Sequence, residues 1–189
     1  MSSLKHPHLI ELAAHVDEIR SFAADLKAQL RPEQLRWKPG DDEWSVAECL
    51  DHLVSTGYLY YPRLEEALDS VNSDGDLSPY EPSVLGKLFI WTISPDAGIK
   101  VRAFEPFEPK HPKEDVAILD MFDGQQSELL ELISRADTVN INGGKFTTPG
   151  LVRLTIGEGL TMVVQHQRRH VLQIERLRDH PNFPIDGAA

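Results

Sequence analysis

Residues 7–30, PHLIELAAHVDEIRSFAADLKAQL, decide the fold. Leu9, Leu12, Val16, Ile19, Ala23, Leu26 and Leu30 recur at steps of three and four, the repeat of one face of an α-helix. Glu11, Asp17, Glu18, Arg20, Asp25 and Lys27 fall between them and form the solvated side. Pro7 suits a first helical turn, where its missing N–H costs little. Pro32 marks the stop. A helix with one apolar stripe has to bury that stripe against other elements, which directs the search to partners of the same kind.

Three more such stretches follow. Ser45-Val-Ala-Glu48 has the form of a capping box and opens a second helix from about residue 45. Its apolar face is Val46, Cys49, Leu50, Leu53, Gly57, Tyr60, Leu64 and Leu68. Pro62 lies inside this pattern and should kink or split the helix, because it removes a donor and crowds the preceding turn. A third helix fits 113–136, with Val116, Leu119, Phe122, Leu129, Leu132 and Ile133 inward. Thr155-Ile-Gly-Glu158 is a second capping box and opens a fourth helix over about 156–179. Its apolar positions are Ile156, Leu160, Val163, Val171, Ile174 and Leu177.

The connections differ in kind. The segment RPEQLRWKPGDDEW reads as a short loop carrying Trp37 and Trp44. Residues 137–154 read as another loop, with Asn142-Gly143-Gly144 as a turn signal. Residues 69–112 form a 44-residue link with six prolines between 79 and 112. Within it, Val84–Trp91 is apolar enough for a short buried helix or a strand, and periodicity does not separate the two. Four long amphipathic helices with little convincing strand imply an all-α four-helix bundle in one domain spanning 1–189. A short link joins antiparallel neighbours, whereas a long one can cross the bundle. The second and third helices are therefore expected to run parallel, giving up-down-down-up.

Composition narrows the function. The net charge is −11, which argues against nonspecific nucleic-acid binding through clustered Lys and Arg. The single cysteine, Cys49, excludes an intrachain disulfide and a cysteine-built zinc site, and it fits a reducing compartment. No stretch approaches the roughly 18 apolar residues of a membrane helix, and the N-terminus has no signal-peptide core. A cytoplasmic protein without a membrane partner is expected. No glycine-rich phosphate loop or G-x-S-x-G elbow is present.

Of the eight histidines, three stand apart. His166 and His170 are spaced i, i+4 and project from one face of the fourth helix, beside Val163, Ile174 and Leu177. His52 lies on the second helix beside Cys49 and Leu53. Buried imidazoles need partners, and three that converge between two helices satisfy one another through one divalent ion. Three protein ligands leave coordination positions open, the arrangement of a catalytic site. Against this stands a solvated HQRRH face, with Arg168 and Arg169 between the histidines, and His52 as an ordinary core residue.

Other residues carry weaker signals. Glu48, four before His52, reads as the capping-box residue rather than as a hydrogen-bond acceptor or base near a metal. Asp51 reads as surface. Arg168 and Arg169 read as a solvated face pairing with Glu175 or Asp179, with anion recognition as the rival. Gln173 is a candidate for the site wall. Trp37, Trp44 and Trp91 read as core or bundle-end plugs, and Cys49 as a small apolar core residue. Phe89, Trp91 and Phe104 in the long link would help build a pocket wall. His6, His8, His15, His111 and His180 carry no assigned function.

Two signatures resemble a known family. Trp44-Ser45-x-x-Glu48-x-x-x-His52-Leu53, preceded by Trp37-Lys38-Pro39, is similar to the first signature of the DinB/YfiT-like superfamily. Gly157-Glu158, followed by His166-Gln-Arg-Arg-His170-x-x-Gln173-Ile174, is similar to its second. The resemblance covers nearly the whole chain. It implies a four-helix bundle of up-down-down-up topology, a divalent metal held by His52, His166 and His170, and a homodimer. It leaves the reaction open. Some members resemble metal-dependent hydrolases, others are thiol-dependent transferases or isomerases using mycothiol or bacillithiol, and many have no assigned activity.

The expected function is that of a divalent-metal-dependent enzyme, a hydrolase or low-molecular-weight-thiol transferase acting on a small molecule. The rivals are a metal- or ligand-binding stress-response protein without turnover, and a purely structural bundle. Zinc, nickel, iron and manganese all accept imidazole, so the ligands do not name the metal.

Overall fold

A computed structural model describes residues 4–73, 77–98, 107–109 and 115–184. Four long helices form the bundle: α1 (Pro7–Gln29), α3 (Val46–Asp69), α5 (Asp115–Ala136) and α6 (Ile156–Arg178). Two shorter helices join them, α2 (Pro32–Arg36) and α4 (Val84–Ile93), with a two-stranded antiparallel sheet of β1 (Lys145–Thr147) and β2 (Arg153–Thr155). The apolar stripe of α1 is buried from Leu9 through Leu26, and each apolar position assigned to the second helix is buried as well. In α5, Leu119, Phe122, Leu129, Leu132 and Ile133 are core, while the side chain of Val116 lies outside the described residues.

Residue pairs fix the helix directions. Along α1 and α5, the backbone N–H of His6 meets the Asp137 carboxylate at 2.8 Å, and Arg20 Nε meets Asp123 at 3.0 Å, so these helices are antiparallel. Along α3 and α5, Gln125 Nε2 donates to the Val54 carbonyl at 3.0 Å and Arg135 meets Asp69 at 2.6 Å, so these are parallel. His52 lies opposite His166, and Leu64 opposite Gly159, so α3 and α6 are antiparallel. His8 bonds Thr161 and Arg178 bonds Gln29, so α1 and α6 are parallel. The order is up-down-down-up, as expected from the long link.

That link climbs the bundle along α6. At the foot of α4, the N–H and hydroxyl of Ser83 both donate to Glu158 Oε1 at 2.7 Å. At its head, Arg169 donates to the Thr92 carbonyl at 3.0 Å. Close approach at the foot requires a residue without a side chain: a Cβ on Gly86 would lie 2.1 Å from the Glu158 carboxylate.

Several expectations are corrected. Val84–Trp91 is helical but not buried, because α4 packs one face on the bundle and turns the other outward. The 31–44 segment contains α2, where Pro32 starts a turn and the Gln34 side chain accepts from the Arg31 N–H at 2.9 Å. The 137–154 segment contains the hairpin, in which paired Phe146 and Leu154 turn inward. Pro62 does not split α3, which is continuous from Val46 to Asp69. Proline removes one donor there, the Arg63 guanidinium donates to the neighbouring Leu59 carbonyl, and Tyr60, Tyr61 and Leu64 are packed on either side.

The core falls into two apolar clusters. One holds Leu9–Val16 of α1, α3 from Tyr60, α5 from Leu129 and α6 through Val164. The other holds α1 from Ile19, α3 through Val54, α5 through Phe122 and α6 from Ile174. Between them the bundle carries a polar layer: buried Thr56, Gln125, Gln126, Gln167 and His170, with half-buried His166.

Candidate metal centre

The three histidines meet at the edge of this layer. His52 Nε2 lies 3.2 Å from His166 Nε2, and His170 Nε2 lies 3.2 Å from the same atom. One ligand atom from each ring falls within 4.8 Å of the others. Helical spacing explains two of the positions, since residues i and i+4 on α6 are stacked neighbours. The antiparallel crossing of α3 supplies the third.

The His52 tautomer follows from its partner. Nδ1 lies 2.5 Å from the Phe107 carbonyl oxygen, which only accepts, so Nδ1 carries the proton and Nε2 presents a lone pair toward the cluster. Burial lowers the His52 pKa most, partly offset by the Phe107 bond and by Asp51. His166 is held well below its ordinary value, first by burial and then by His170, His52 and Arg169. His170 is lowered to about 3, by burial and then by His52, with the Gln173 side chain acting in the other direction. All three rings are therefore neutral near pH 7, the form that donates to a metal.

The donor set fits a divalent ion. A single proton on His166 Nε2 can be directed at only one of its two neighbours at 3.2 Å, which leaves the other neighbour's Nε2 without a hydrogen bond from it. A shared cation satisfies all three. The held Nδ1–H of His52 is the backing that metal-ligating imidazoles usually have.

An aromatic wall closes one side. The Trp44 ring lies 4.9 Å from that of His52 and 6.0 Å from that of His170, nearly parallel to the latter. This role for Trp44 was missed, as was the Phe107 carbonyl. Trp37 fits the bundle-end reading, with Phe183 edge-on at 5.4 Å. Trp91 does not, since it is half exposed on the outer face of α4. Phe89, expected in a pocket wall, is half-buried against the apolar core, and Phe104 lies outside the described residues.

The remaining candidates sort by their contacts. Glu48 completes the capping box, accepting from the Ser45 N–H at 2.7 Å, and also pairs with Lys38 at 3.0 Å. Cys49 is fully buried and packs as an apolar residue, with burial pushing its thiol pKa up. Asp51 is buried, not on the surface, and has interaction partners. Arg168 donates to the Gln165 side chain at 3.2 Å, and Arg169 donates to the Thr92 carbonyl of α4 at 3.0 Å. Among the other histidines, His6 caps α1, His8 stacks on Tyr80 at 3.9 Å, His15 pairs with Glu18 on the surface and His180 meets Trp37. His111 lies outside the described residues.

No described helix is long and apolar enough to cross a membrane. The fold matches that of YfiT from Bacillus subtilis, described as a probable metal-dependent hydrolase with an unusual four-helix bundle topology. The TM-score is 0.54 and the identity 17%, over 95% of this chain and 90% of that one. The uncharacterized protein YuaE of Bacillus subtilis (strain 168) is 24% identical over 158 residues, which is 79% of this chain and 86% of YuaE. The family model of the DinB superfamily matches residues 10–174, from the first turn of α1 through all three histidines, and the chain belongs to that superfamily.

Proposed function

We propose that the protein is a divalent-metal-dependent enzyme whose ion is held by His52, His166 and His170. The observation that carries this reading is the convergence of three neutral imidazoles, with the His52 lone pair turned inward by the Phe107 carbonyl. When bound, a divalent ion in such a site lowers the pKa of a coordinated water or thiol and so supplies a nucleophile near neutral pH. The chain's own groups hold the geometry. Phe107 fixes one ring, the α6 backbone fixes two, and Trp44 covers the cluster and limits solvent. The reactions that suit this arrangement are hydrolysis of a small molecule and transfer of a low-molecular-weight thiol to an electrophile. Nothing in the donor set selects zinc, nickel, iron or manganese. YfiT, described as a probable metal-dependent hydrolase, supports the hydrolytic branch.

The same reading makes the protein a cytoplasmic homodimer that acts on a small molecule and does not bind nucleic acid. A second reading, a metal- or ligand-binding stress-response protein without turnover, uses the same three histidines and predicts binding without rate enhancement.

The deciding experiment loads the protein with each metal in turn. Metal content is measured, and the loaded protein is incubated with thiols and a panel of esters, amides and electrophiles. One equivalent of metal and a reaction faster with wild type than with His166→Ala support the enzyme. Metal bound without any such difference favours the binding protein, and no bound metal removes both.

A further inference from the structure

The outer face of α4 is unusual for a chain of this charge. Val84 is 86% exposed, Leu85 58%, Leu88 57% and Trp91 48%. At about 100° per residue these four side chains span roughly 120° of the helix. Gly86, Phe89, Ile90 and Ile93 occupy the opposite face, where α4 meets the bundle. Scattered exposed leucines need no explanation, but four large apolar residues contiguous on one helix mark a contact surface.

We propose that this stripe pairs two copies of the chain, α4 against α4 in opposite directions, about a two-fold axis at Leu88. The proposal rests on the homodimer reading given above and names the surface responsible. Three observations point to a second copy. First, the stripe is close to symmetric under reversal. Val84 lies four residues before Leu88 and Trp91 three after it, so an antiparallel partner sets Leu88 against Leu88 and Val84 beside Trp91. A two-fold contact needs that self-complementarity, and a different partner does not. The smallest exposed residue of the stripe then meets the largest, which lets the two helices approach. Second, two copies of a chain with net charge −11 repel each other. Residues 82–95 contain no acidic residue and one cation, Lys87, so repulsion is weak on this face. Third, the stripe is large enough to form the centre of an interface. Its four side chains present several hundred Å² of apolar surface, a substantial share of the roughly 800 Å² per partner of a standard interface. Pairing here would also press α4 onto α6, where Arg169, the neighbour of His170, holds the head of α4.

The test measures mass in solution by light scattering across a concentration series. The full-length chain is compared with Leu88→Asp and with Met121→Asp, a change at an exposed apolar residue on α5. The expected result is a dimer for wild type and Met121→Asp, and a monomer for Leu88→Asp with unchanged helicity by circular dichroism. Leu88→Cys provides an independent reading. Cys49 is buried, so mild oxidation should cross-link Leu88→Cys into a covalent dimer, and Leu151→Cys, exposed on the hairpin turn, should not cross-link. A wild-type dimer that survives Leu88→Asp, with no cross-link at position 88, overturns the α4 interface and leaves the dimer reading standing. A monomeric wild type overturns both and turns the stripe over to another kind of partner.

Discussion

The carbonyl oxygen of Phe107 lies 2.5 Å from Nδ1 of His52, joining the far end of the crossover to α3 across 55 positions of sequence. The crossover therefore sets the protonation pattern of a candidate ligand, in addition to linking two helices. In isotope-labelled, metal-free protein, long-range ¹H–¹⁵N correlation at neutral pH is expected to show His52 protonated at Nδ1 and bare at Nε2. A proton found on Nε2 would remove His52 from the ligand set, because the lone pair would then face the Phe107 carbonyl.

Removing one imidazole should remove the ion. For His170→Ala, metal content after loading is expected to fall far below one equivalent. The metal-induced rise in Tm should fall with it. A ligand present at 100 times its Kd stabilises the folded state by about 2.7 kcal/mol, and that increment is what the variant would lose. Metal content and Tm rise equal to wild type would argue against three-ligand coordination.

Glu158 joins two helix starts. It accepts from the Ser83 N–H and hydroxyl at the foot of α4 and from the Thr155 N–H at the foot of α6. Burial pushes its pKa up, but the hydrogen bonds from Ser83 and Thr155 outweigh burial and the net shift is downward. A carboxylate with a lowered folded-state pKa stabilises the protein above its ordinary titration range. That contribution is lost as pH falls through the folded value. Glu158→Gln is expected to cost roughly 1–3 kcal/mol at pH 7, the scale of hydrogen bonds to a charged group. The difference from wild type should shrink on acidification below about pH 4. Urea unfolding at several pH values checks this, and a pH-independent difference would contradict it.

Gln126 is fully buried, and its Oε1 accepts no hydrogen bond from the described residues. Among the described residues its Nε2 reaches only the Phe122 carbonyl of its own helix, at 3.4 Å. An unsatisfied buried carbonyl costs about 1–3 kcal/mol. Gln126→Met, similar in size and unbranched, is therefore expected to raise stability by about 1 kcal/mol, read as a higher urea midpoint at unchanged slope. A lower midpoint would show that the amide oxygen is satisfied in solution.

Helix periodicity carried the bundle far. The stripes of α1, α3, α5 and α6 named the core, and the spacing of His166 and His170 with His52 named the candidate ligands before any coordinate. Asp51 shows where that method stops. A single-stripe reading assumes a helix with one wet side, but Leu50, Asp51, His52, Leu53 and Val54 are consecutively buried. Over Leu50–Val54, α3 is enclosed by α2, α5, α6 and Phe107, so these five positions have no solvated face. The Phe107 contact has no sequence signal because a backbone carbonyl acts and the side chain is incidental. Trp44 precedes the Ser45 cap, outside the helical repeat that would relate it to His52. Trp91 fails differently, because its exposure depends on which face of α4 meets α6, and an apolar run does not say.

The parallel packing of α1 against α6 has a consequence for biogenesis. During synthesis α1, α3 and α5 leave the ribosome first, while α6, with two of the three histidines, is still to come. The nascent bundle then has an open apolar groove whose filler, α6, emerges after the other three and must seat beside α1. Such an intermediate is prone to aggregate. Chaperone dependence, rather than weakness of the finished protein, would then set how much of it a cell accumulates.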